Sequence, residues 1–288
     1  MRICRSWMFV PGHVDKMVRK ALASQADGLM LDIEDGVLPA FKAQARTVIA
    51  AALADTPASG QARFVRTNAI SQPDFTADLE TIVGCGAAGL VLAKVESTDE
   101  LAHAVDMIEK LEAQRSARVK LQLIPAIESA KGMLAAPAIA SASKRVVGLM
   151  LGAEDLARDI GLPARRTQEA HELVYARSAL VFAATAARIQ SIDQVWPDLS
   201  DVEGLTADAG QARRLGFTGK AIIHPSQIEP VNSAFTPTAA DVEFAQRVVA
   251  AFQDAEAKGL GAVAFGGQLL DKPIVDRARA ILKFHSVG

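Results

Sequence analysis

Seven places in this 288-residue chain carry side chains able to hold a cation or move a proton; six close a short apolar run and Asp193 lies within one. They are Asp32-Ile33-Glu34-Asp35-Gly36, Arg66-Thr67-Asn68, Lys94-Val95-Glu96, Ile127-Glu128-Ser129, Gly152-Ala153-Glu154-Asp155, Asp193 and His224-Pro225. A ring of carboxylates with few basic partners is costly to gather unless a cation neutralises it. All-oxygen ligation without a Cys or His cluster favours Mg2+ or Mn2+ over zinc. Any one of these acids can equally be a helix N-cap or an ion-pair partner, so residue types alone leave both readings open. His13, His103, His171 and His285 lack metal-ligand spacing, and Ser6, Ser97 and Ser129 have no Gly-x-Ser-x-Gly context.

The apolar runs that place these residues fall at 7–10, 28–33, 63–66, 89–95, 120–127, 146–151, 191–195 and 220–224. They read as continuous rather than alternating strands, as parallel strands covered on both faces should. Amphipathic segments at 14–24, 41–54 and 98–115 lie between them. A repeat of about 30 residues matches one βα unit. GxGxxG after the first strand and GxxxxGK[ST] anywhere are both missing, which disfavours a doubly wound open sheet. The pattern predicts an α/β chain: a (β/α)8 TIM barrel over 1–230 whose active site lies at the C-terminal strand ends. Residues 231–288 are expected to form a C-terminal helical extension or lid within the same structural unit, with a long helix over 239–258 and a short one over 273–284.

Composition limits the partners. The 31 basic and 33 acidic residues nearly cancel, which argues against a nucleic-acid surface. Apolar runs stop short of the roughly 20 residues that cross a bilayer. Cys4 and Cys85 are far apart and form neither a disulfide framework nor a zinc motif. The first residues lead directly into a strand without a signal-peptide apolar stretch, so a cytoplasmic setting is expected.

Several segments also resemble, in order along nearly the whole chain, the citrate lyase beta-subunit family within the HpcH/HpaI aldolase group. They begin with Arg5-Ser6-x-x-Phe9-Val10-Pro11-Gly12, Leu31-Asp32-Ile33-Glu34-Asp35-Gly36-Val37 and Arg66-x-Asn68. Lys94-Val95-Glu96-Ser97, Ile127-Glu128-Ser129, Leu151-Gly152-Ala153-Glu154-Asp155-Leu156 and Tyr175-Ala176-Arg177-Ser178 follow. Gly216-Phe217-x-Gly219-Lys220 and Ile223-His224-Pro225-x-Gln227 complete the match.

The resemblance implies a Mg2+-dependent lyase, with Mn2+ as a substitute, that cleaves or forms 3-hydroxyacyl thioesters such as malyl-, citramalyl- or citryl-CoA. It implies a homo-oligomer, a trimer or hexamer. By position, Glu128 and Asp155 match the metal ligands, Glu34 and Asp35 match acids holding metal-bound water, and Arg66 matches the arginine that grips the oxo-acid carboxylate. Asp271, within Phe265-Gly266-Gly267-Gln268-Leu269-Leu270-Asp271, matches a catalytic aspartate carried on a neighbouring subunit's lid. By residue type alone, Asp271 suits an N-cap for the helix at Pro273 equally well. Lys20 matches a coenzyme A contact, but Val14 stands where relatives carry a coenzyme A-binding arginine. That departure keeps two alternatives in view: an aldolase for a free hydroxy-oxo acid, and a non-catalytic acyl-thioester-binding protein or lyase-complex subunit.

Overall fold

The computed structural model describes residues 3–57, 60–163 and 171–287. Among them, two compact units separate at the end of a helix: Met1–Phe235 and Thr236–Gly288.

The first unit is a closed barrel of parallel strands: β1 (Ser6–Pro11), β2 (Gly28–Asp32), β3 (Ala62–Thr67), β4 (Gly89–Leu92), β5 (Gln122–Ile127), β6 (Gly148–Leu151), β7 (Gln190–Asp193) and β8 (Gly219–Ile222). The strands follow chain order around the barrel, and pairing of β1 with β8 closes it. The intervening helices are α1 (Asp15–Leu22), α2 (Lys42–Asp55), α3 (Asp74–Ile82), α4 (Thr98–Gln114), α5 (Ala130–Ser141), α6 (Ala153–Asp159), α7 (Val174–Ala187) and α8 (Val202–Leu215), with α9 (Ile228–Phe235) after β8. Helix α6 is only two turns long, and α7 packs directly beside α5. The expected boundary at residue 230 lies inside α9, whose Val231 and Phe235 are buried in the core between strands and helices.

Strand β4 is shorter than its apolar run suggests. It ends at Leu92 because Lys94 adopts φ 55°, a left-handed conformation that cannot continue a strand. Ser97 and Ser129, dismissed above as nucleophiles, instead cap α4 and α5 by accepting hydrogen bonds from Glu100 N and Gly132 N.

Strand periodicity decides which residues face the barrel axis. Trp7, Met30, Phe64, Ile124, Met150 and Ile192 form an inner core separate from the outer one. Two residues along the same faces from Met30 and Phe64 come Asp32 and Arg66, and two beyond Ala126 comes Glu128. Register pairs Asp32 with Arg66 across β2 and β3. The polar residues are therefore the next layer above an apolar plug, at the C-terminal mouth.

On the far side, β7, β8, α7 and α8 are tied by a fully buried ionic network. Arg177 Nε and Nη2 donate to the two oxygens of Asp193 at 3.0 and 2.8 Å, and Nη1 lies 3.0 Å from Asp208 Oδ1. Lys220 Nζ donates to Asp193 Oδ2 and Gln194 O, at 2.8 and 2.7 Å, and to Asp208 Oδ2. Asp193, read from sequence as a mouth residue, is thus committed to this clamp.

The second unit starts with α10 (Ala239–Ala257), entered through a capping box between Thr238 and Asp241. A short antiparallel hairpin follows, β9 (Val263–Phe265) and β10 (Gln268–Leu270), and then α11 (Lys272–Val287). Its core comprises Ala245, Val248, Phe252, Leu270 and Val275. The extension is therefore not purely helical. Gly266 and Gly267 both take positive φ, 55° and 80°, as a tight two-residue hairpin turn demands.

Arg177→Ala leaves two aspartates and one lysine in a fully buried site. It should lower the unfolding free energy by about 3–5 kcal/mol, measured by denaturant titration. A loss below about 1 kcal/mol would mean the clamp contributes little.

Candidate active site

The barrel mouth holds a cavity of about 320 Å³ whose lining includes Phe9, Asp32, Arg66, Glu128, Gly152 and Asp155. A larger cleft of about 590 Å³ lies at the other end, around Cys85, Arg115 and Leu121, and no carboxylate lines it. Among the described residues, the strand-end acids other than Asp193 gather at the mouth.

Asp32 organises this cavity. Its carboxylate accepts from Arg66 Nε and Nη2, each at 2.7 Å, and from the backbone N–H groups of Glu34 and Gly36, each at 2.9 Å. Arg66 is held further by Glu34 Oε2, 3.2 Å from Nη1, and by the Phe9 ring, whose centre lies 4.7 Å from the guanidinium carbon. Two of the five donors of Arg66 are consumed by Asp32. The N–H groups left for a ligand lie at the far end of the fork.

Glu34 is buried and ion-paired to both Arg66 and Lys94. Lys94 also donates to Asp35 Oδ2 at 2.7 Å and lies 3.9 Å from Asp155 Oδ2. Its left-handed backbone costs roughly 1–2 kcal/mol for a residue with a Cβ, and it brings the ammonium among three acids. Burial alone would lower the Lys94 pKa, but the hydrogen bonds to Asp35 and Glu34 outweigh it and hold the ammonium above its usual range. Burial would likewise raise Asp35, yet Lys94 wins and keeps that carboxyl below the ordinary value.

Glu128 is the exception. It is 4% exposed, and Oε2 has no hydrogen-bond partner. Burial pushes its carboxyl up to about 7; Arg66 opposes this, while Glu34 and Asp155 add to it. Gly152, following β6, leaves the space that Glu128 occupies. A Cβ there would stand 2.3 Å from Glu128 Cγ. Asp155 follows on α6, partly exposed, and pairs with Arg158 at 2.5 Å.

The mouth thus brings together Glu34, Asp35, Arg66, Glu128 and Asp155, all anticipated from sequence, and adds Asp32, Lys94 and Phe9 in supporting positions. Asp32 and Lys94 stood at strand ends in the sequence, but only pairing across strands shows what they hold. Lys20 lies exposed in the last turn of α1. Val14 is the N-cap residue of that helix and makes no side-chain cap bond. His224 Nδ1 accepts from Ser226 N at 3.2 Å, a local turn contact. Asp271 belongs to the second unit, where its Oδ1 accepts from Ile274 N at 3.3 Å at the start of α11.

Comparison with known proteins gives one family. Residues 5–225 match the HpcH/HpaI aldolase/citrate lyase family. The chain is 37% identical over 286 residues to citrate lyase subunit beta of Haemophilus influenzae, covering 98% of this chain and 97% of that one. It is 34% identical over 288 residues to the mitochondrial citramalyl-CoA lyase of Rattus norvegicus, covering 96% and 85%. In structure it is similar to protein CitE from Mycobacterium tuberculosis, solved in complex with magnesium, acetoacetate and coenzyme A. The TM-score is 0.81 at 32% identity, with 99% of each chain covered. On barrel, motifs and relatives together, this chain belongs to the HpcH/HpaI aldolase/citrate lyase family.

Proposed function

We propose that this protein is a Mg2+-dependent carbon–carbon lyase that cleaves, or in reverse forms, a 3-hydroxyacyl thioester such as malyl-, citramalyl- or citryl-CoA. The observation that carries the reading is the buried, unpartnered carboxylate oxygen of Glu128 in a cavity shared with Asp155 and Arg66. A buried charge without a partner is retained at a cost of several kcal/mol unless something else binds it.

The donor set fits a hard divalent cation. Glu128 and Asp155 offer oxygen only, and among the described residues no group of three or more His, Cys, Asp or Glu side chains could hold an ion by itself. Mg2+ accepts that arrangement because it keeps several waters and uses one or two carboxylates plus substrate. Glu34 and Asp35, fixed by Lys94, are the acids that would hold such water. When bound, the cation supplies a Lewis acid that stabilises negative charge on substrate oxygen.

The free end of the Arg66 fork binds and orients the carboxylate of the oxo-acid portion. A base takes the 3-hydroxyl proton, the O–H electron pair forms the new carbonyl, and the bond between C2 and C3 breaks to give an oxo acid and the enolate of the thioester. The enolate takes up one proton at its α-carbon, a transfer this reading assigns to Asp271. Lys20 contributes to binding the coenzyme A portion. The active protein is a cytoplasmic homo-oligomer, a trimer or hexamer.

Three outcomes test the reading. Chelator-treated protein assayed with malyl-, citramalyl- and citryl-CoA and with free hydroxy acids should regain cleavage on addition of Mg2+, and Glu128→Ala should lose at least about a hundredfold. Cleavage confined to free hydroxy acids would leave the carrier wrong, as Val14 in place of an arginine hints, and metal-independent turnover would sink the site. Asp271→Asn should abolish deuterium exchange at the acetyl methyl of acetyl-CoA. Its melting temperature should hardly move, because Asn caps a helix as well as Asp; exchange retained in Asp271→Asn would leave Asp271 only its capping role.

The third outcome follows from the Glu128 carboxyl, raised from 4.5 to about 7. The metal-free folded protein holds that proton more tightly than the unfolded chain, so the penalty is absent below pH 4.5 and grows as the pH rises to about 7. Glu128→Gln should therefore stabilise the chelated protein at pH 8 by up to about 3 kcal/mol and change little at pH 4.5. Equal effects at both pH values would remove the case for an unpaired buried charge.

A further inference from the structure

Lys94 holds a backbone conformation that its side chain must justify. Among the described residues, three that are not glycine take positive φ: Lys94 at 55°, Ser116 at 50° and Arg188 at 56°. Arg188 is the C-cap of α7 and Ser116 follows the C-cap of α4, where a left-handed residue is ordinary. Lys94 lies just after β4 and ahead of α4, and closes no helix. Its neighbours cannot yield. Ala93 and Val95 are fully buried, and Val95 N donates to Ala126 O at 3.2 Å, which ties the chain to β5. Glycine would take this conformation without strain. A residue that takes it at a cost, beside a polar cavity, points to a task for its side chain.

The ammonium spans two loops. It donates to Glu34 and Asp35 after β2, the second at 2.7 Å, and lies 3.9 Å from Asp155 Oδ2 on α6. Arg66 pairs with Asp32 and Glu34, and Arg158 pairs with Asp155. Among the described residues, Lys94 is therefore the cation that both groups of acids share. Against burial, Asp35 and Glu34 hold the ammonium above its usual range, so it stays charged near neutral pH and cannot serve as a base there. What it contributes is a fixed positive charge.

We propose that Lys94 stands in for the cation of this site: its ammonium holds Glu34, Asp35 and Asp155 together when no metal is bound, and competes with the metal for them. The inference rests on the metal reading of Glu128 and Asp155, and adds to it the residue that sets the affinity. Two positive charges drawn to the same carboxylates repel each other, more strongly in a half-buried cleft than in water. The metal must bind against the ammonium, so its affinity is lower than the acids alone would give. Removing the charge then has two effects with one origin. The chelated protein loses its counter-ion and becomes less stable, while the metal meets one competitor fewer and binds more tightly. A lysine that merely braced the acids would act the other way. Loosening the groups that surround metal ligands costs roughly ten- to hundredfold in metal affinity. The sign of the change separates the two roles.

Mn2+, whose free concentration is read from its electron paramagnetic resonance signal, is the probe. Chelator-treated full-length protein is titrated at constant pH and ionic strength, because salt screens the repulsion. Lys94→Met should bind Mn2+ at least about fivefold more tightly than the wild type. Lys94→Arg keeps the charge and should bind close to the wild type, and Glu128→Ala should not bind. Without metal, Lys94→Met should melt below the wild type, and saturating Mn2+ should narrow that gap. If the methionine variant does not fold, Lys94→Gly relieves the left-handed backbone and should show the same tightening. Folded Met or Gly variants that bind Mn2+ no more tightly than the wild type overturn the proposal and leave the metal site standing. Equal tightening in Lys94→Arg overturns it too, because charge would not be the cause. Mn2+ binding that is absent throughout, or that survives Glu128→Ala, removes the metal reading and the inference with it.

Discussion

Glu128 carries its carboxylate where almost no water can solvate it, and much of the barrel mouth is arranged around that fact. Gly152 has no side chain, and so leaves room for it. Asp32 draws the Arg66 guanidinium into a fixed fork, and Lys94 gives up a regular backbone conformation to place its ammonium among Glu34, Asp35 and Asp155. Even so, Asp32, Glu34, Asp35, Glu128 and Asp155 outnumber Arg66, Lys94 and Arg158. Burial amplifies such an imbalance because opposing charges are screened far less than in water. The divalent cation proposed at Glu128 and Asp155 would relieve it.

A second ionic cluster in the same barrel makes the contrast plain. Arg177, Asp193, Asp208 and Lys220 are at least as deeply buried, but their charges balance and each carboxylate is held by both cations. That cluster joins β7 and β8 to α7 and α8, and even the Asp208 oxygen that accepts no hydrogen bond lies 3.0 Å from the Arg177 guanidinium. Both clusters draw on the same residue types. What separates them is whether each carboxylate has a cation beside it: Asp193 and Asp208 each have two, and no ion pair is made by Glu128 among the described residues.

The outer surface shows the same economy of charge from the other direction. Most exposed helix faces carry ionisable residues, which keep them solvated. The α5–α7 face carries few and presents Tyr175, Phe182 and Leu134. Helix α7 stands directly against α5.

Much of this was legible in the residues. Eight continuous apolar runs, a repeat of about one βα unit, and acids at successive run ends determined the barrel and the end of it where those acids gather, because strand periodicity and connection length are local properties. The mouth residues Glu34, Asp35, Arg66, Glu128 and Asp155 were found that way and through family likeness. Three-residue strands at Val263–Phe265 and Gln268–Leu270 were not, since so short a run carries no readable period, and the left-handed Lys94 was hidden inside an apolar stretch. Only tertiary structure could divide Asp193 from Glu128: both are acids closing a strand, and nothing within several residues of either distinguishes them. Their difference lies in partners from distant parts of the chain, Arg177 and Lys220 for Asp193, and none for one oxygen of Glu128. A charge is made structural or available by its neighbours in space, and neighbours are what folding supplies.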